Sequence, residues 1–222
     1  MRLLHRVAAL GALMLTTACT NITPVEQQYS GFLDSYDDLS PVRTGDGADA
    51  MRWYTPALAD RRYTKLIVEP IRFYPEPQTS DQVSADRLTQ LSDYMTRSLR
   101  RELAKEFELV TEPSADAAVV SFALTGVDTP TEGLKARNLI PASLLIAGAT
   151  YAAGERDHIV VVYIEGQLTD AATGETLAKG VRQGRGGRLR NDTDELAVED
   201  VQAYLDGWAG DIAALATQLK GR

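Results

Sequence analysis

The chain has 222 residues, of which 24% are charged and 44% hydrophobic, with a formal net charge of −8. That acidic balance argues against nucleic-acid binding, which needs a basic footprint on phosphates. The length suffices for one sizeable core without requiring a second domain. A lone cysteine, Cys19, excludes an intramolecular disulfide, and with only His5 and His158 there is no histidine-rich metal site.

Arg2 and Arg6 make a short positive segment, Val7 to Leu15 an apolar run broken only by Gly11, and Thr17-Ala18 a small-residue exit before Cys19. This is the pattern of a secretory leader, too short to span a bilayer permanently. Leu13 to Cys19 resembles the bacterial lipobox, with Thr16 where leucine is commonest. The resemblance implies a diacylglycerol on the Cys19 thiol, cleavage before it and acylation of the new amino group. Each buried methylene contributes about 0.8 kcal/mol, so three acyl chains hold a protein permanently. Thr20, where aspartate would favour retention in the inner membrane, implies an outer-membrane address. The expected organisation is a signal peptide over 1–18, a polar tether over 19–28 and a single periplasmic domain over 29–222. Losing the leader's two arginines from 23 basic residues leaves 21 against 31 acidic ones, a net −10.

Tyr29 to Leu39 reads Tyr-Ser-Gly-Phe-Leu-Asp-Ser-Tyr-Asp-Asp-Leu. Soon after a lipobox, this stretch resembles the bacterial lipoprotein family catalogued as domain of unknown function 3313. The likeness extends to Trp53-Tyr54, to Ile67-Val68-Glu69-Pro70 and to the long helix that follows. It implies no activity, because the family has none to carry over. Phe32, Leu33, Tyr36 and Leu39 have helical spacing, which predicts a short amphipathic helix docked on the domain. Asp34, Asp37 and Asp38 are then either a cation site or a solvated helix face.

Gly45 to Asp49 is a loop by composition. Tyr63 to Tyr74 predicts a strand whose phase slips at Pro70, marking an edge or a bulge. Leu88, Leu91, Met95, Leu99, Leu103 and Phe107 form the apolar stripe of a long helix, with Arg97, Arg100, Arg101 and Lys105 on its solvated side. Strands are expected over Glu108–Thr111 and Asp116–Val127. His158 to Thr169 is continuously apolar from Ile159 to Ile164, as in a central strand covered on both faces. A hairpin connection over Asp170–Glu175, with Gly174 at positive φ, returns the chain along Thr176 to about Arg188. Asp192 and Glu195 predict a capping box for a last helix that buries Val201, Leu205, Trp208, Ile212, Leu215 and Leu219. The order predicts an α+β fold, a mostly antiparallel or mixed sheet with amphipathic helices packed on one face.

Two segments stand out as contact candidates. Asn138 to Gly154 is almost wholly apolar and centred on Leu144, Leu145 and Ile146, with small residues four apart at Ser143/Ala147 and Gly148/Ala152. It is either a buried insertion or a surface for self-association or membrane contact. Gly180 to Arg190 carries Arg182, Arg185, Arg188 and Arg190, forks suited to phosphate or carboxylate. The alternative is a solvated strand end. Without the lysine and hydroxyl of a P-loop it is no nucleotide site. No nucleophile elbow or reactive cysteine meets His158, and the Asp34/Asp38 pair lacks a sugar cleft, so no catalytic residue, cofactor or metal is assigned. The expected role is a non-catalytic accessory contact in the cell envelope, reached through lipid on Cys19, with another envelope protein or a second copy as partner. A small-ligand-binding or cell-wall-hydrolysing domain is the alternative.

Overall fold

A computed structural model describes residues 29–45, 47–77, 84–128, 158–189 and 196–220. The strands are β1 (Ser40–Arg43), β2 (Asp49–Tyr54), β3 (Lys65–Val68), β4 (Arg72–Phe73), β5 (Glu108–Leu109), β6 (Ala117–Asp128), β7 (His158–Asp170) and β8 (Thr176–Leu189). They form one sheet in the order β1-β2-β8-β7-β6-β3-β5, and β4 continues beside β6 past the break at Pro70. Pairing is antiparallel from β1 through β2, β8 and β7 to β6, and parallel where β3 meets β5 and where β3 and β4 meet β6. The α+β reading with a mixed sheet therefore holds.

The phase slip at Pro70 has a visible cause. Proline cannot donate to a ladder, so the chain leaves β6 after Val68 and rejoins it at Arg72. The detour is pinned by helix α1 (Ala85–Leu103): the Ile71 amide donates to Thr96 Oγ1, and Ser92 Oγ donates to the Ile71 carbonyl. Ser84 caps α1 by accepting from the Arg87 amide. Leu88, Leu91, Met95, Leu99 and Leu103 are all buried, and Phe107 packs beneath the turn after the helix. On the opposite side Arg97, Arg100, Arg101 and Lys105 are exposed, as expected.

The predicted β7–β8 hairpin forms. Gly174 has φ of 73°, and the Asp170 side chain accepts from the Ala172 and Thr173 amides, both at 2.9 Å. The last helix, α2 (Gln202–Ala216), starts later than its expected cap. A 3₁₀ turn over Val198–Asp200 leads into it, and there the Asp200 carboxylate accepts from the Ala197 amide. Asp192 and Glu195 lie outside the described residues. Both helices lie on one face of the sheet, where Val201, Leu205, Trp208 and Leu219 join α1 in the core; Ile212 and Leu215 are half-buried.

Glycine on β7 makes room for that helix layer. A Cβ on Gly166 would stand 2.0 Å from the Phe122 ring, which packs edge-to-face with Trp208 at 4.9 Å between centroids. Trp208 is 1% exposed, so the Phe122 ring can shift only into the cavity that both rings border, against its packing on the tryptophan. Gly166→Ala is therefore expected to cost about 1–3 kcal/mol in urea unfolding. A midpoint equal to that of the wild type would mean the wedge is loose.

Candidate functional site

The sheet face away from the helices is covered by residues 29–39, and not as a helix. The segment runs as an irregular strap, in which Leu39 N donates to Tyr36 O at 3.1 Å to close a turn. The helical spacing of Phe32, Leu33, Tyr36 and Leu39 has another origin. Leu33 and Leu39 pack on Val181 of β8, with Met51 and Trp53 of β2 alongside, while the Tyr36 ring stacks on Tyr29 at 4.2 Å. Strap residues then bind the two charges beneath it, Glu165 of β7 and Lys179 of β8.

Glu165 of β7 is fully buried, and its carboxylate accepts from the Ser30 amide at 2.9 Å and from the Tyr36 hydroxyl at 2.5 Å. That hydroxyl in turn accepts from the amides of Gly31 (2.9 Å) and Leu33 (3.2 Å). Burial, reinforced by the Glu165 carboxylate, pushes the Tyr36 phenol up to about 12. Lys179 of β8, 7% exposed, reaches Asp38 at 3.0 Å, Asp34 at 3.6 Å and the Ser35 carbonyl at 2.8 Å. Asp34 and Asp38 thus neutralise a lysine of the sheet and are no helix face. Asp37 is exposed, and among the described residues no cluster of three or more acidic, histidine or cysteine side chains could hold a metal ion.

The helix-side face carries a second buried charge group. Arg182 and Arg52 both reach Asp211 Oδ2 of α2, at 3.3 and 2.8 Å, while Oδ1 accepts from the Gly45 amide at 3.0 Å. Arg182 also lies over the Tyr204 ring at 5.3 Å. Its guanidinium therefore has an anion, but an internal one. Alternation puts Arg182 on the α2 side, and Gly184 two places on leaves space for the Tyr204 ring. Nearby, Asp206 joins the two helices by accepting from Ser98 Oγ (2.6 Å), the Tyr94 hydroxyl (2.8 Å) and Arg101 (3.2 Å).

Burial would raise the Asp206 carboxyl, but those three donors outweigh it and hold the group below its usual value. A depressed carboxylate adds stability that is fully present above the unfolded value near 4 and is lost as pH falls through the folded value. The Tm of the wild type is therefore expected to fall more steeply below pH 4 than that of Asp206→Asn. Parallel acid profiles would show that Asp206 contributes nothing.

The other anticipated residues fall as follows. Arg185 and Arg188 sit on β8 opposite Val161 and Ile159 of β7. Cys19, Leu144, Leu145, Ile146 and Arg190 lie outside the described residues. Glu165, Lys179 and Asp211 were not anticipated. A signal existed for the first: Glu165 directly follows the apolar run Ile159–Ile164, and a charge in a strand covered on both faces needs built-in partners.

These features define an α+β domain with two helices on one face of a mixed sheet and an N-terminal strap on the other. Residues 28–212 match the family described as "Protein of unknown function (DUF3313)", and the chain belongs to that family. It is 34% identical over 206 residues to the uncharacterized lipoprotein YdcL of Escherichia coli K12, covering 93% of each chain. Among solved structures, the hypothetical protein CT253 from Chlamydia trachomatis is 8% identical with a TM-score of 0.38, over 71% of this chain and 91% of that one. The PelC L103M dodecamer from Paraburkholderia phytofirmans is 13% identical with a TM-score of 0.33, over 78% and 97%. Neither likeness bears on function.

Proposed function

We propose that the chain is an envelope lipoprotein, held through lipid on Cys19 at the periplasmic face of the outer membrane, whose domain makes a non-catalytic contact with another envelope component. The lipobox and the lipoprotein name of its relative YdcL support the anchor. One observation carries the contact. Across three strands Asp128 of β6 faces Val161 of β7, which faces Arg185 of β8, and Ile159 faces Arg188 two places on. The chain that carries Leu144, Leu145 and Ile146 thus leaves β6 and enters β7 at the same end of the sheet as the arginine-rich strand end. Both contact candidates of the sequence attach at one tip. A basic strand end and an apolar connection joined to the same end of the sheet suit a partner with anionic and apolar parts, a neighbouring envelope protein or a second copy.

The test places a photo-crosslinking residue at position 188 in cells and pairs it with intact-mass analysis of wild type and Cys19→Ser. A triacylated mature chain in the outer-membrane fraction is expected, with one discrete adduct from position 188 that is lost in Cys19→Ser. Correct lipidation without an adduct removes the contact; an unmodified soluble chain removes the anchor.

A further inference from the structure

Between α2 and the sheet lies a cavity of about 130 Å³ that neither the strap nor the charged clusters occupy. Its walls are mostly hydrocarbon: Phe122 and Ile164 from the sheet, Trp208, Ile212 and Leu215 from α2, and Leu58 from the 3₁₀ turn Pro56–Asp60, with Arg52, Arg182 and Lys179 also at its border. Small residues keep it open, since Ala50 and Ala178 line the sheet side and Ala216 the helix side. It crosses four adjacent strands, touching Ala50 on β2, Ala178 on β8, Ile164 on β7 and Val120 on β6. With neighbouring strands about 4.8 Å apart, the lining of this slot extends over roughly 14 Å of the sheet.

The elongated lining suits a chain better than a ring. At the ~30 Å³ of a water-sized group, the volume takes about four methylenes, the tail end of a chain and not its whole length. The charged side chains at its wall do not invite a head group. Arg52 is turned to Asp211 at 2.8 Å and is 13% exposed. A polar group pushed into the slot would lose water with little to replace it. One end reaches solvent, where Tyr54, 41% exposed, and the exposed Gln218 form the rim. Few large apolar side chains of the described residues are so open; the other is Tyr74, at 38%.

We propose that this slot is a binding site for the hydrocarbon end of an acyl chain, which enters tail first past Tyr54 and leaves its polar head at the rim. The site lies on the helix side, apart from the strap, and stands independently of the proposed contact. The chain belongs either to a free fatty acid or to a membrane lipid, and the two sources are separable.

Trp208 in the wall provides the readout. In the full chain with Cys19→Ser, Trp53→Phe removes the other tryptophan, which lies on the strap side. Dodecanoic acid brominated at its terminal carbon is expected to quench at least half of the Trp208 emission. The isomer brominated beside the carboxyl is expected to leave it nearly unchanged. Vesicles of phosphatidylcholine with tail-brominated chains quench as well if a membrane lipid is the source, and do not if it is the free acid. Ala216→Phe, which fills the slot, should abolish quenching; if it fails to fold, Ala178→Val gives the same test with a smaller side chain. No quenching by either terminally brominated probe overturns the proposal. So does equal quenching by the two acids, or quenching that survives a folded slot-filling variant.

Discussion

Asp211→Ala is expected to destabilise the domain by about 3–5 kcal/mol, the cost of leaving buried charges without their counter-ion. Asp211, Arg52 and Arg182 have side chains 8%, 13% and 5% exposed, so water cannot take over from the lost carboxylate. The same change frees the Gly45 amide, which loosens the turn between β1 and β2 as well as the helix. Asp211→Asn keeps an oxygen for Gly45 but loses the charge, and an intermediate loss is expected. The cost belongs to the stranded charges, so Asp211→Leu combined with Arg52→Met should recover part of it. Urea unfolding followed by far-ultraviolet circular dichroism measures all three. A loss below about 1 kcal/mol for Asp211→Ala would show that the guanidiniums reach solvent when the carboxylate goes.

Most elements were legible because their burial has a single period. Leu88 to Leu103 at steps of three and four have one partner face, and α1 follows them closely. Pro70 and Gly174 state a local backbone constraint, and the break and the turn sit at those residues. The strap was misread because helical spacing arose there from two unrelated demands. Leu33 and Leu39 fill gaps on β8, whereas Tyr36 is placed by a hydrogen bond to a residue 129 positions away. No local pattern encodes such a partner. The charged clusters were hidden for the same reason: Arg182 joins Asp211 across 29 positions, and Lys179 joins Ser35 across 144. Short β1 escaped notice because three of its four residues are exposed, and exposed strands carry no apolar alternation.

Glu165→Leu is expected to release the strap while the helix side stays folded. The substitution leaves the Ser30 amide and the Tyr36 hydroxyl without their acceptor, and hydrogen bonds to a charged group are worth about 1.5–3 kcal/mol each. The strap's own packing, chiefly Leu33, Leu39 and the Tyr29–Tyr36 stack, is too small to hold eleven residues in place against chain entropy of about 1–2 kcal/mol per residue. Amide exchange over 30–39 should rise by at least about tenfold, with α1 and the Tyr94–Asp206 bond unaffected. Tyr36→Phe should do the same more weakly, since Glu165 keeps the Ser30 amide. Unchanged exchange at the strap in Glu165→Leu would assign its hold to Lys179 and the apolar contacts. Under the proposed anchor the consequence reaches beyond stability, because the strap would fix the point from which a tether over 19–28 leaves the domain. Under the proposed anchor at Cys19, ten residues over 19–28 could reach at most about 35 Å, and eleven freed residues would roughly double that reach. If the anchor and the contact proposed above hold, a buried glutamate beneath an eleven-residue strap sets how far from the membrane the sheet tip can reach its partner.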